Sequence, residues 1–196
     1  MTRVAVVDYG AGNLGNARRA VVALGFEEVR VRSPAELGDV GPIVLPGVGA
    51  YGAAIARLEA TGLAAALRAA VGAGRPIVGI CLGLQLLYQR SEESDGVEGL
   101  GVLRGRVRRL RAGGLPLPHL GWAPVGTGDR AYYFAHSFCV EPDDAGDVIA
   151  TARWGEPFVA AVRRGAVVGF QFHPERSGPA GLALLARALR GEDPTP

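Results

Sequence analysis

The chain has 196 residues, of which 48% are hydrophobic, and its formal net charge is +2. This length suits one domain with one core, and the hydrophobic content argues against a disordered chain. A charge so close to zero gives no electrostatic reason to expect binding to nucleic acid or to a membrane surface. Because every basic residue is an arginine, chemistry through a lysine Schiff base or a P-loop lysine is excluded.

The two cysteines, Cys81 and Cys139, are too few for a disulfide framework in a chain of this size. The apolar run at the start is broken by Asp8, so it is too short for a signal peptide. No stretch approaches the ~18 apolar residues that a membrane-spanning helix needs. We therefore expect a cytoplasmic protein in which a cysteine thiol stays reduced and can react.

The first half of the chain alternates short apolar runs with helical patterns. The apolar runs predict strands at 4–7, 28–32, 43–45 and 76–80. The helical patterns fall at 14–24, 50–58, 63–71 and 82–90. Asn13 is a suitable N-cap for the first helix and Gly25 a suitable stop. This alternation predicts an α/β fold with a mostly parallel central sheet and helices on both faces.

The second half of the chain changes character and becomes rich in β-like segments. These segments fall at 104–111, 131–140, 148–154, 158–163 and 167–172, separated by turns such as Arg164-Gly165. They predict antiparallel strands added to the central sheet. Residues 179–190 predict a closing amphipathic helix, and 191–196 a loose tail. Since no linker divides the chain, we expect a single domain over residues 1–196.

The strongest local signal is the segment Gly79-Ile80-Cys81-Leu82-Gly83, between a predicted buried strand and a predicted helix. It matches a nucleophile elbow with cysteine in place of serine. A tight strand-to-helix turn forces a strained backbone, so the residues two positions away must lack side chains. The helix N-terminus then favours a thiolate. The alternative is a buried structural cysteine that packs between glycines.

A reactive thiol needs a base, and the pair His173 and Glu175 can supply it. Positions i and i+2 of an extended segment point to the same side, so this imidazole and this carboxylate can meet. The carboxylate would fix the histidine tautomer and stabilise the imidazolium. The predicted strand before them places both at its carboxyl end, where open parallel sheets hold their sites.

These two motifs, in this order and with this wide spacing, resemble the class I, or triad, glutamine amidotransferases. The family elbow is matched by residues 76–85 and its closing motif by 169–175. The segments 8–13, 45–51, 118–122 and 132–138 further resemble the glutaminase subunits of imidazole glycerol phosphate synthases. The resemblance runs from Val4 to about Glu175.

The resemblance implies a flavodoxin-like, three-layer fold and hydrolysis of glutamine to glutamate and ammonia by a triad of Cys81, His173 and Glu175. No cofactor is expected, and the two cysteines and three histidines show no metal-ligand spacing. The backbone N–H groups of Val48 and Leu82 would form the oxyanion hole, with that of Val48 completing it in the activated state. The residues implied to bind the substrate are Gly47, Gly49, Gln85, His136, Ser137 and Phe138.

The resemblance also implies a partner. The family pairs this glutaminase with a (β/α)₈-barrel cyclase, as a heterodimer, and passes ammonia to it in histidine biosynthesis. The cyclase products are imidazole glycerol phosphate and an aminoimidazole-carboxamide ribonucleotide. The family places Asn13 and Trp122 at the interface with the cyclase, and an exposed tryptophan suits a binding hot spot. Ala123 stands where the family usually has asparagine.

Three other readings stay open on the sequence. The nearest is another triad amidotransferase, such as the glutaminase of pyridoxal phosphate synthase, which typically has Gly-Gly-Glu-Ser at the position of residues 46–49. A cysteine peptidase or chaperone-like protein of the same topology would also use an elbow cysteine. A binding module would use Cys81 for packing alone, and its thiol would then be inert to alkylation.

Overall fold

Twelve strands and six α-helices form the described part of the chain, which is residues 1–10 and 14–196 of a computed structural model. The strands are β1 (Arg3–Val7), β2 (Glu27–Val31), β3 (Ile43–Gly47), β4 (Ile77–Cys81), β5 (Arg90–Ser91), β6 (Gly105–Arg109), β7 (His119–Pro124), β8 (Ala131–His136), β9 (Phe138–Pro142), β10 (Val148–Trp154), β11 (Glu156–Arg164) and β12 (Val167–Phe170). The helices are α1 (Leu14–Ala23), α2 (Pro34–Leu37), α3 (Tyr51–Ala60), α4 (Leu63–Gly72), α5 (Leu82–Leu86) and α6 (Gly178–Leu189).

A seven-stranded sheet with the order β10-β11-β12-β4-β3-β1-β2 forms the centre of the fold. The strands from β12 to β2 are parallel to their neighbours, and β10 and β11 extend the sheet as an antiparallel pair. The predicted fold class is confirmed. Because β12 comes late in the chain but pairs with β4, it brings the end of the chain to the centre of the sheet.

The pleat of the strands sorts apolar side chains into two cores, one on each face of the sheet. In β1, Ala5 and Val7 enter the core that α3 and α4 cover, whereas Val4 and Val6 enter the core that α1 and α6 cover. This alternation is the period-2 pattern of a strand buried on both faces. The result is a three-layer arrangement of helix, sheet and helix.

The helix predicted over residues 82–90 is shorter in the structure, where α5 ends at Leu86. The backbone beyond it pairs with a later segment instead of continuing the helix. The Leu100 N–H donates to the Leu86 carbonyl at 2.8 Å, and the Gly99 N–H donates to the Gln89 carbonyl at 2.9 Å. Tertiary hydrogen bonds therefore override the helical preference of this leucine-rich stretch.

The β-like stretch at 131–140 is two strands, β8 and β9, in two different small sheets. β8 pairs with β7, and β9 pairs with β6. The chain changes sheet at Ser137, whose carbonyl accepts a hydrogen bond from the Leu110 N–H at 2.9 Å. The sequence did not predict β7, because Gly121 and Pro124 weaken the strand signal there.

Three further points concern predicted features outside the sheets. Asn13, the predicted helix cap, lies outside the described residues. In the tail at 191–196, which is described, no helix or strand forms and Pro194 is buried. Within the described ranges, no helix is both long and apolar enough to cross a membrane.

Candidate active site

The turn that carries Cys81 has the backbone of a nucleophile elbow. Cys81 has φ 54° and ψ −109°, and among the described residues it is the one non-glycine residue with positive φ. A Cβ at Gly83 would overlap the Leu45 carbonyl oxygen, and a Cβ at Gly79 would lie 2.8 Å from the Leu84 backbone. Both flanking glycines are therefore required by close backbone approach, as the sequence predicted.

Neighbouring parallel strands bring the candidate residues to one edge of the sheet. In the β3–β4 register, Gly47 pairs with Cys81, so the Gly47-Val48-Gly49 segment leaves the sheet beside the thiol. On the other side, Phe170 of β12 pairs with Ile80, and His173 follows three residues later. This is the carboxyl edge of the sheet, where open α/β folds form their sites.

His173 and Glu175 form the predicted pair. The His173 Nδ1 lies 2.8 Å from Glu175 Oε1, and both side chains are buried. Burial opposes a charged imidazole, but the neighbouring Cys81, followed by Glu175, raises the pKa of His173 to about 10. The imidazole is therefore held as a cation next to the sulfur and the carboxylate, and this stabilisation is lost as the pH rises through about 10.

The backbone of His173 is fixed by contacts that the sequence did not reveal. Its N–H donates to the Tyr133 carbonyl at 2.8 Å, and its carbonyl accepts from the Ser177 hydroxyl at 2.6 Å. The same hydroxyl oxygen accepts from the Tyr133 N–H at 2.9 Å. Arg176 also lies over the Tyr133 ring, with 4.0 Å between the guanidinium carbon and the ring centroid. β8 thus holds His173 in place.

A cavity of about 330 Å³ lies at this edge of the sheet. It is lined by all the candidate catalytic, oxyanion and substrate residues: Gly47, Val48, Gly49, Cys81, Leu82, Gln85, His136, Ser137, Phe138, His173 and Glu175. The sequence missed Glu93, which also lines the cavity and accepts a hydrogen bond from the Tyr51 N–H at 2.9 Å. No sequence signal distinguishes it from the other acidic residues around it.

Two of these lining residues use their side chains on the protein itself. Gln85 donates from Nε2 to the Phe138 carbonyl at 2.9 Å, and His136 Nδ1 lies 2.8 Å from the same oxygen. Burial lowers the pKa of His136 to about 3, so its ring is neutral at pH 7. The Phe138 carbonyl in the cavity wall is therefore already occupied by these two side chains.

The third histidine, His119, lies next to this wall. Its two ring nitrogens make no hydrogen bond within the described residues. Its ring stacks on Trp154 and Phe134, with centroid separations of 4.2 Å and 4.8 Å. Burial lowers its pKa to about 4, so it behaves as an aromatic core residue. Across residues 1–10 and 14–196, no group of three or more histidine, cysteine or acidic side chains is placed to hold a metal ion.

The model of the family described as glutamine amidotransferase class-I matches residues 5–190. The chain belongs to this family. A subunit named imidazole glycerol phosphate synthase subunit HisH from Symbiobacterium thermophilum is 43% identical, over 95% of this chain and 92% of that relative. Its namesake from Methanopyrus kandleri is also 43% identical, over 96% and 98% of the two chains.

A third relative and a solved structure extend the comparison. The chloroplastic imidazole glycerol phosphate synthase hisHF of Arabidopsis thaliana is 42% identical over 97% of this chain, but the match spans 34% of that longer protein. A crystal structure of a glutamine amidotransferase has a TM-score of 0.76 at 23% identity, covering 95% of this chain and 98% of the other. That structural likeness supports the fold of the family.

The outward face of β7 carries Trp122, which was predicted to face a partner. Trp122 is 56% exposed and Leu120 is 62% exposed, and both project from β7. Ala123 points the other way and is buried in the core that α1 and α6 cover. The departure at Ala123 therefore changes a core position and not the outward face of β7.

The elbow geometry predicts a strong effect of one methyl group. Gly83→Ala should lower the free energy of unfolding by ~1–3 kcal/mol or more, because the added Cβ overlaps the Leu45 carbonyl. Urea denaturation measures this. Gly72→Ala, at the end of α4 with open space around it, is the matched control and should be neutral or slightly stabilising. Equal stability of the two variants would contradict the close approach of β3 to the elbow.

Proposed function

We propose that this chain is the glutaminase subunit of an imidazole glycerol phosphate synthase, acting as one domain in histidine biosynthesis. It hydrolyses glutamine to glutamate and ammonia and delivers the ammonia to a cyclase subunit. The names of relatives that are 43% identical over nearly the whole chain support the pathway. The observation that carries the chemistry is the left-handed elbow of Cys81 beside the buried His173–Glu175 pair.

In the proposed reaction, the Cys81 thiolate attacks the side-chain amide carbon of glutamine and forms a C–S bond. The carbonyl oxygen becomes an oxyanion, which accepts hydrogen bonds from the backbone N–H groups of Leu82 and Val48. His173 gives its proton to the amide nitrogen, and the C–N bond breaks to release ammonia. Water then adds to the thioester with His173 as base, which yields glutamate and restores the thiolate.

The arrangement of charges favours this cycle. The raised pKa of His173 keeps a proton available for the leaving ammonia, and Glu175 stabilises the imidazolium throughout. Leu82 stands at the first position of α5, where helix N–H groups have no partner inside the helix. Val48 lies between two glycines, so its peptide can rotate at low cost to meet the oxyanion.

The proposed partner is a cyclase subunit with a (β/α)₈ barrel, bound as a heterodimer through the outward face of β7 and through Asn13, which lies outside the described residues. Support comes from the exposed Trp122 and Leu120, since large exposed apolar side chains side by side are typical of binding surfaces. The Arabidopsis relative supports it as well, because this chain corresponds to 34% of that single longer synthase.

We place the reaction in the cytoplasm. Both cysteines are free in the described structure, and the proposed mechanism requires a reduced Cys81. A thiol nucleophile of this kind survives in a reducing compartment, where glutathione keeps cysteines from pairing.

Replacing Cys81 tests the proposed nucleophile. With a histidine-pathway cyclase and its nucleotide present, the wild-type chain should release glutamate, and Cys81→Ala should release at least ~10³-fold less. Glutamate is measured by a coupled dehydrogenase assay. Cys139→Ala is the matched control: its thiol is buried in β9, away from the cavity, and it should keep wild-type activity. Full activity of Cys81→Ala would refute the proposal, and cleavage of peptides without glutamine turnover would favour a peptidase.

Replacing Trp122 tests the proposed partner surface. Trp122→Ala should weaken binding to the cyclase by about 2 kcal/mol, or roughly 30-fold in Kd, because a large apolar side chain would lose its contacts. Isothermal titration calorimetry measures this. Val22→Ala is the control, since Val22 is similarly exposed, at 58%, but lies near the end of α1. Unchanged affinity of Trp122→Ala for the cyclase would show that the outward face of β7 does not bind it.

A further inference from the structure

The segment between β12 and His173 contains a buried polar side chain that the proposed mechanism does not use. Gln171 has no exposed surface and lies between Phe170 and Phe172, which are also fully buried. Burying an amide away from water is unfavourable unless its hydrogen bonds are made inside the protein. The contacts of Gln171 therefore indicate what keeps it there.

Both ends of the Gln171 amide have partners. Its Nε2 lies 3.8 Å from Cys81 Sγ, within donor range for sulfur, and its Oε1 accepts from Gln85 Nε2 at 3.2 Å. Its backbone N–H donates to the Ala160 carbonyl at 2.9 Å. The side chain thus links the reactive sulfur to Gln85 at the wall of the cavity.

The hydrogen-bond partners determine the orientation of the Gln85 and Gln171 side-chain amides. The Phe138 carbonyl can only accept, so Gln85 must present its Nε2 there, and His136 must carry its proton on Nδ1. The same Gln85 Nε2 then requires an acceptor from Gln171, which leaves the Gln171 Nε2 facing the sulfur. A flipped Gln171 would place two N–H groups against each other and an oxygen against the thiolate.

The two polar contacts of the sulfur favour opposite protonation states. A thiol can donate to the Ala135 carbonyl, which lies 3.8 Å from Cys81 Sγ. A thiolate has no proton to donate, and it is stabilised by donors such as the Gln171 Nε2. The balance between thiol and thiolate therefore depends on Gln171 as well as on His173.

We propose that Gln171 is a positioning residue for the nucleophile: its amide, held by Gln85 and the Phe138 carbonyl, donates to Cys81 Sγ and stabilises the reactive thiolate. This inference rests on the proposed function of Cys81. It also connects the sulfur to the substrate cavity, because Gln85 lines that cavity and orients the amide that faces the sulfur. A ligand that moves Gln85 would thereby change the donor at the thiolate.

The test measures alkylation of Cys81 by iodoacetamide as a function of pH, with peptide mass spectrometry to separate Cys81 from Cys139. Gln171→Met keeps the length of the side chain but removes the donor. It should raise the pH midpoint of Cys81 alkylation by about one unit, the size expected for one hydrogen bond to a charged group. Its kcat for glutamate release with cyclase should fall by roughly tenfold, with a smaller change in KM.

Gln89→Met is the control for losing a glutamine amide away from the site, because Gln89 is exposed, lies outside the cavity and accepts one hydrogen bond with its amide, from the Gly105 N–H at 3.1 Å. It should leave the alkylation midpoint and kcat unchanged. If Gln171→Met fails to fold, Gln171→Leu removes the same donor with a shorter apolar side chain and should also raise the midpoint. A wild-type midpoint and kcat in a folded Gln171 variant would show that the residue only packs.

The two proposals fail separately. If Cys81→Ala keeps its glutaminase activity, the proposed nucleophile is wrong whatever Gln171 does. If activity depends on Cys81 but not on Gln171, the proposed function stands and the positioning role falls.

Discussion

The left-handed backbone at Cys81 requires that the start of α5 lie directly against the end of β3. A side chain at Gly83 has no space there, because the Leu45 carbonyl occupies the position of its Cβ. This contact places the Cys81 thiol beside the Gly47-Val48-Gly49 segment, which continues β3. The parallel pairing of β4 with β12 then brings His173 to the other side of the sulfur. The geometry of the whole site follows from the close spacing of the carboxyl ends of β3, β4 and β12.

The electrostatics of the site depend on the same closeness. A buried imidazolium is unfavourable by itself, and burial is the main cause that lowers the pKa values of His119 and His136. His173 is as buried as they are, yet its pKa is raised, because Cys81 lines the same cavity and Glu175 Oε1 lies 2.8 Å from its Nδ1. The pKa values of the three histidines thus differ because their neighbours differ. His173, which lies beside the thiol, is the one suited to transfer a proton.

The sequence predicted the parts of the site that depend on local spacing. Gly79 and Gly83 around Cys81 define the elbow. Glu175 does meet His173, but through a 3₁₀ turn over Pro174–Arg176 and not through the extended segment that the sequence predicted. Contacts between distant segments could not be predicted from periodicity. Ser177 and Glu93 hold the site through single hydrogen bonds to Tyr133, His173 and Tyr51.

The fold shows the same division between local and distant information. Strands with continuous apolar runs, such as β1 and β4, were predicted close to their observed bounds. The helix after Cys81 was predicted too long, because its end is set by hydrogen bonds to residues 99–103. The strand β7 was missed because Gly121 and Pro124 hide its alternation, although its outward Trp122 and inward Ala123 follow the period of a strand. The resemblance to the family supplied the proposed roles of Val48 and Gln85.

Cys81 and Glu175 should hold His173 as an imidazolium at neutral pH. Nitrogen-15 NMR of the ring nitrogens tests it directly, since neutral and protonated imidazoles differ in their chemical shifts. At pH 7 one of the three histidines, His173, should be protonated and should titrate near pH 10, while His119 and His136 should be neutral. In Cys81→Ala, His173 should titrate at a lower pH, because its largest stabilising neighbour is gone. Three neutral imidazoles at pH 7 in the wild-type protein would contradict the account.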